Sequence, residues 1–189
     1  MEQAADKYKK KIFTIPNILS FVRICLIPVI IWLYLVKRDY LMSGIFVLIS
    51  GLTDIVDGYI ARTFNMISDL GKVLDPVADK ATQAAVMILL ATSFPLMLIP
   101  IGLMAAKEIF MGITGYMIIQ KCNIVLGAHW YGKLATVIVT AMMAIHLFWH
   151  NINPDLSVAI IILSSVSILL ALTLYAIRNF GYLLENIKN

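Results

Sequence analysis

The chain has 189 residues, 61% of them hydrophobic and only 14% charged, and its mean hydropathy is +0.90. A soluble domain of this length carries far more charge, so a water-soluble globule is excluded. The formal net charge of +4 does not point to nucleic acid, because the lysines and arginines are spread over the connections between apolar runs.

Residues 1–15 form a charged lead-in that reads as an amphipathic segment along the membrane interface. Lys7, Lys9, Lys10 and Lys11 stand near headgroups, and Pro16 turns the chain into the first span. Six spans are expected, roughly Leu19–Val36, Leu41–Ile60, Asp75–Thr92, Leu96–Ile119, Leu134–His150 and Leu156–Ile177. Runs such as "SVAIIILSSVSILLALTLYA" (Ser157–Ala176) cross a hydrocarbon core of roughly 30 Å at about 1.5 Å per residue. The first apolar segment reads as a retained span and not a cleaved signal, because more spans follow it. Without a repeat or a long linker, residues 16–189 read as one domain: an all-α integral membrane protein, a six-transmembrane-helix bundle. Cys25 and Cys122 read as small apolar residues, having no metal-ligand spacing. With the N-terminus inside, the cytoplasmic side receives Lys7–Lys11, Arg62, Lys72, Lys121, Lys133, Arg178 and Lys188, and the far side only Lys37 and Arg38. Both termini are therefore expected in the cytoplasm.

The chemistry concentrates in "DIVDGYIARTFNMISDLGKVLDPVADK", Asp54–Lys80. Asp54 and Asp57 are spaced i, i+3 and Asp75 and Asp79 i, i+4, so each pair shares a helix face. The two helices are joined by a short connection, so the four carboxylates can converge at the cytoplasmic side. Ionisable groups in membrane helices are costly and face a bundle interior or a wet cavity. Converging carboxylates repel unless cations sit among them, and all-oxygen ligation suits Mg²⁺ or Mn²⁺, two ions by the count of ligands, as in two-metal phosphoryl or phosphodiester chemistry. Gly58 and Ala61 follow Asp54 and Asp57 by four residues and leave room near the backbone. Arg62 can meet a phosphate, and Gly71 allows a tight approach. Taken singly, Gly58 and Arg62 read as a packing glycine and a snorkelling arginine; the pattern as a whole does not.

Asp54-x-x-Asp57-Gly58-x-x-Ala61-Arg62, eight residues, then Gly71-x-x-x-Asp75-x-x-x-Asp79 matches the signature of the CDP-alcohol phosphatidyltransferase family without a gap. "LDPVADK" and "IPNILSFVRICLIP" (Ile15–Pro28) resemble its bacterial phosphatidylglycerophosphate synthase and CMP-forming cardiolipin synthase branch. The resemblance implies a homodimer in the bacterial cell membrane with a polar cavity open to the cytoplasm. It implies metal ligation by Asp54, Asp57, Asp75 and Asp79, with Asp79 also the general base, and CDP binding by Gly58, Ala61, Arg62 and Gly71. Asp69 falls outside the signature and reads as a solvated loop carboxylate. The implied reaction is attack by an alcohol on the lipid-linked phosphorus of CDP-diacylglycerol, with CMP leaving.

The rival from another class is a cation transporter, since acidic residues inside spans also mark ion paths. No inverted repeat supports it. For the acceptor, Lys107-Glu108 resembles the Arg-Glu of phosphatidylglycerophosphate synthases, and Lys133 a basic residue near the acceptor phosphate. Gly115 and Ala135 stand where that branch often carries further basic residues. Glycerol 3-phosphate is the expected acceptor and phosphatidylglycerol the alternative; a buried ion pair is the plain reading of Lys107-Glu108. His129, Trp130 and Tyr131 read as an interfacial belt or a headgroup contact. Asn17 and Arg23 read either as braces from the first span or as a helix cap and a snorkelling arginine.

Overall fold

A computed structural model describes residues 14–63, 71–122, 124, 127 and 129–185. Apart from Thr14 and Ile15, the expected interfacial lead-in lies outside the described residues, as does the connection 64–70 with Asp69. The described residues form helices and turns, with no strand among them.

Helix α1 spans Ile15–Trp32. Thr14 is extended and its hydroxyl accepts the Asn17 N–H at 3.4 Å, while Pro16 sits in the first turn, where a missing N–H costs nothing. The chain continues as a π-helical turn, Leu33–Lys37, which Arg38 ends in the left-handed conformation at φ 53°. Asp39 then starts α2, Tyr40–Thr63, its carboxylate accepting the Met42 N–H at 3.0 Å. A stop and a start on consecutive residues turn α2 back along α1, and the two helices pack together. Buried Ser43 donates to the Ile30 carbonyl at 3.4 Å, and Tyr34 meets Tyr40 edge-on at 4.9 Å. At the same end the Lys37 ammonium lies 5.0 Å from the Trp32 ring, a pairing suited to an interface.

Helix α3 spans Gly71–Ser93. Gly71, expected in a loop, is its buried first residue. The chain divides into two packing units, 1–89 and 90–189. The second unit enters through a 3-10 turn, Pro95–Met97, into α4 (Leu98–Cys122), then α5 (Trp130–Phe148) and α6 (Pro154–Glu185).

Within the second unit α6 packs against both α4 and α5. Its buried stripe runs Ser157, Ile161, Ser164, Ile168, Ala171, Tyr175 and Asn179, in steps of three or four residues that keep one face inward. Polar links lock the contacts. Asn179 donates to Thr114 of α4 at 2.8 Å, and buried His146 of α5 bridges the Met142 carbonyl and Ser157 Oγ, both at 2.9 Å. Both are polar groups that apolar surroundings oblige to pair.

Among the described residues, five helices are long and apolar enough to cross a membrane: α1 with its π turn, α2, α4, α5 and α6. Helix α3 has 23 residues, but Lys72, Asp75, Asp79 and Lys80 crowd its beginning, so length and composition alone do not make it a sixth. The protein is an all-α membrane protein. Helix α6 also differs from its expected extent, continuing past Ile177 to Glu185. Its inward stripe carries on through Asn179 and Leu183 after the uninterrupted apolar run has ended.

Gly132, in the first turn of α5, is held by contact. A Cβ there would overlap the Tyr175 side chain, whose ring also meets Tyr131 at 4.6 Å and whose hydroxyl accepts the His129 N–H at 3.1 Å. Gly132→Ala is expected to destabilise the protein by about 1–3 kcal/mol, the scale of overpacking. In a Tyr175→Ala parent the same change should cost little. Thermal unfolding of the four detergent-solubilised proteins measures this coupling.

Candidate active site

The aspartates of the first unit meet the inner face of α1. Arg23 is almost wholly buried, at 1% exposure. Its guanidinium reaches Asp54 Oδ1 through Nη1 at 2.5 Å and Asp57 Oδ2 through Nη2 at 2.7 Å. The i, i+3 spacing of Asp54 and Asp57 brings both carboxylates to one guanidinium: Nη2 donates to Asp57, while Nη1 meets Asp54 as an ion pair without hydrogen-bond geometry. One turn earlier, fully buried Ser20 donates to Asp75 Oδ1 of α3 at 2.5 Å, and its hydroxyl lies 3.5 Å from Asp57 Oδ2. Its third neighbour is the Pro16 carbonyl at 3.1 Å. A hydroxyl has one proton, so these three acceptors share a single donor.

The four carboxylates differ in access. Asp57 is buried, Asp75 half-buried and Asp79 exposed, while the Asp54 side chain is 43% exposed. Asp79 shares no hydrogen bond with the others but lies within electrostatic reach of Asp54 and Arg23. The set thus runs from a deep carboxylate paired with Arg23 to an open rim. Arg23 braces the site and does not snorkel. Asn17 is also buried, and the cap of α1 is Thr14. Ser20 escaped the sequence reading; the available signal was its i, i+3 spacing from Arg23, which places both on one face of α1.

Every donor in the cluster is oxygen, which suits a hard divalent ion. One guanidinium against four carboxylates leaves the group strongly negative, and the residue types fit such an ion. Among the described residues no three His, Cys, Asp or Glu side chains are close enough to share one ion. Asp54, Asp57 and Asp75 are joined through Arg23 and Ser20 instead. Gly58 lies on the same helix as Asp57, half-buried, and a Cβ added to it would meet nothing within 4 Å. Packing within the chain therefore does not require glycine there, unlike at Gly132, and the open space fits the approach of a bulky group. Ala61 and Arg62 occupy the last turn of α2 and Gly71 the first turn of α3.

Lys107 and Lys133 belong to the second unit. Lys107, in α4, is largely buried and pairs with Glu108 at 3.2 Å, while Lys133 is exposed in the first turn of α5. Of the aromatic triplet before it, Trp130 is 65% exposed. Tyr131 packs on Tyr175 and stacks with His129 at 4.9 Å. Only the tryptophan suits a lipid belt.

A model of CDP-alcohol phosphatidyltransferases matches residues 13–177, most of the chain. The chain belongs to this family. It is 33% identical over 113 residues to a CDP-diacylglycerol--glycerol-3-phosphate 3-phosphatidyltransferase of Rickettsia bellii, covering 58% of this chain and 62% of that protein. It is 38% identical over 126 residues to the rat protein named cardiolipin synthase (CMP-forming), covering 66% of this chain and 37% of the rat protein. A third relative, a cardiolipin synthase (CMP-forming) / mitochondrial hydrolase fusion protein of Schizosaccharomyces pombe, is 39% identical over 104 residues, 54% of this chain and 17% of the fusion. The chain thus covers less than two thirds of the length of these relatives.

The two carboxylates on Arg23 should respond unequally to neutralisation. Asp57→Asn leaves the buried guanidinium with only the half-exposed Asp54 and is expected to cost up to about 3–5 kcal/mol. Asp54→Asn, at a solvent-screened partner, should cost no more than about 1 kcal/mol. Thermal unfolding in detergent without added metal checks the order.

Proposed function

We propose that the chain transfers the phosphatidyl group of CDP-diacylglycerol to a glycerol-type alcohol, with glycerol 3-phosphate the leading acceptor, releasing CMP. The observation that carries this reading is the complete acidic signature of the family, with three of its carboxylates gathered on Arg23 and Ser20. The Rickettsia relative, named for this reaction, supports it.

In this reading Asp54, Asp57, Asp75 and Asp79 hold two Mg²⁺ or Mn²⁺ ions, which supply neutralisation of the diphosphate and of the charge on departing CMP. Asp79, the most open carboxylate, takes the proton of the acceptor hydroxyl. The hydroxyl oxygen bonds to the lipid-linked phosphorus as the bond from that phosphorus to the CMP oxygen breaks. Gly58 admits the nucleotide to the helix backbone, together with Ala61 and Gly71, and Arg62 meets its phosphates. Lys107 and Lys133 hold the acceptor's phosphate as point charges. The donor has acyl chains and a nucleotide, which explains acidic residues at one end of membrane helices, on the cytoplasmic side. The working form is a homodimer, residues 16–189 acting as one catalytic domain.

Phosphatidylglycerol is the second acceptor to test. The rat relative's name and the absence of further basic residues at Gly115 and Ala135 favour it. A cation transporter would release no CMP.

Chelation of divalent ions is expected to abolish CMP release, and Mg²⁺ or Mn²⁺ to restore it. Asp79→Asn should lower turnover by about 10²-fold or more, the scale of general-base loss, while donor binding stays measurable. Near-parental turnover in that variant would remove Asp79 from the base role.

For the acceptor, Lys107→Met and Lys133→Met should each raise the KM for glycerol 3-phosphate more than they change donor binding. Parallel assays with phosphatidylglycerol decide the ranking. Faster formation of cardiolipin than of phosphatidylglycerophosphate reverses it, and unchanged acceptor KM in both variants removes the two lysines from the pocket.

A further inference from the structure

We propose that Tyr175, backed by Arg178, positions Lys133 for the acceptor's phosphate by holding the start of α5 from α6. The proposal rests on the reading that Lys133 meets that phosphate. A lysine is a point charge on a flexible four-carbon stem, so the place it can serve is set by where its backbone stands. Lys133 is exposed in the first turn of α5, and the first N–H groups of a helix have no partner within it, so they need a cap. The N-cap of α5 is His129, extended at φ −93° and ψ 160°, and its side chain makes no capping bond. The start of this helix is therefore defined from outside.

Tyr175 defines it. Its hydroxyl accepts the His129 N–H at 3.1 Å, and the His129 carbonyl accepts the N–H groups of Gly132 at 3.1 Å and Lys133 at 3.2 Å. Two hydrogen bonds through one residue thus connect α6 to the backbone of Lys133. Glycine at 132 permits the approach, since the space a Cβ would need is filled by Tyr175. Tyr175 is itself held at 4% exposure, its ring 4.6 Å from that of Tyr131 and 5.0 Å from the Arg178 guanidinium. Arg178 also donates to the Gly127 carbonyl at 3.3 Å, two residues before the cap. Loosening this first turn would spread Lys133 over more positions, so that ordering it on a bound phosphate costs more. Loss of an interaction made equally in ground and transition states raises KM and leaves kcat. Tyr175 and Arg178 are thus positioning residues that act through Lys133 on the acceptor alone.

The test compares the purified parent chain with Tyr175→Phe, Lys133→Met and the double variant, measuring KM for glycerol 3-phosphate and for CDP-diacylglycerol. Tyr175→Phe keeps the ring and its contact with Tyr131 and removes only the hydroxyl. It is expected to raise the acceptor KM by about 3–10-fold, the scale of ordering one long side chain, with donor KM and kcat held. The double variant should show the acceptor KM of Lys133→Met alone, because a residue acting through Lys133 then has nothing to act on. Arg178→Met should raise the same KM by less, again without adding to Lys133→Met, and decides the matter if Tyr175→Phe does not fold. An unchanged acceptor KM in folded Tyr175→Phe, where Lys133→Met raises it, overturns the proposal and leaves the lysine reading standing. Additive effects in the double variant, or equal rises in both KM values, also overturn it, since Tyr175 would then touch the acceptor directly or support the fold at large. An acceptor KM untouched by Lys133→Met removes that lysine from the pocket, and this proposal with it. If phosphatidylglycerol proves the faster acceptor, the same comparison is read on its KM.

Discussion

A guanidinium shut away from solvent inside a helix that crosses lipid has to be neutralised where it stands. Arg23 is in that position, and Asp54 and Asp57 neutralise it. The dependence is mutual, because Asp57 is itself too deep to remain charged without a partner. Such a pair contributes more to specificity than to stability: it fixes which face of α2 can lie against α1, since any other rotation strands one of the charges. The acidic signature is thereby aimed before any ligand arrives. Ser20 extends the arrangement to α3, so the first helix, which carries none of the family's signature residues, organises those that do.

The second unit solves a related problem without charge. Its helices are joined by neutral polar links, His146 to Ser157 and Asn179 to Thr114, embedded in apolar contacts. Small residues at Ser157, Ser164 and Ala171 of α6 stand between Ile161, Ile168 and Tyr175, alternating small and large in the manner of membrane helix packing. The Lys107–Glu108 ion pair lies within α4 and does not itself join two helices. The contrast separates a part built to carry charge from a part built to stand in lipid.

Much of this was legible in the sequence. Apolar runs announce helices, and the spacing of the four aspartates announces two acidic faces. What stayed hidden depends on the partner helix. Whether Arg23 snorkels or pairs is decided by what faces it from α2, which lies 31 positions along the chain. Ser20 is an unremarkable hydroxyl until Asp75 is placed opposite. Helix ends were misjudged where hydropathy stops short of the helix, at Trp130 and beyond Ile177, because backbone hydrogen bonding and a continuing inward stripe, not apolarity, end a helix. Gly71, expected to allow a tight approach or turn in the connection, opens α3 instead, since a glycine's tolerance of unusual backbone does not oblige it to adopt one.

The length of α6 acts as a ruler. Its 32 residues extend about 48 Å, well beyond a hydrocarbon core of about 30 Å. A crossing that starts near Asp155 leaves the oily layer around Leu174 to Ile177, so Tyr175 and Arg178 fall at the level of the headgroups. Those two side chains grip the segment before α5: the Tyr175 hydroxyl holds His129, and Arg178 reaches the Gly127 carbonyl at 3.3 Å. The first turn of α5, with Lys133 in it, is therefore fixed against the last third of α6.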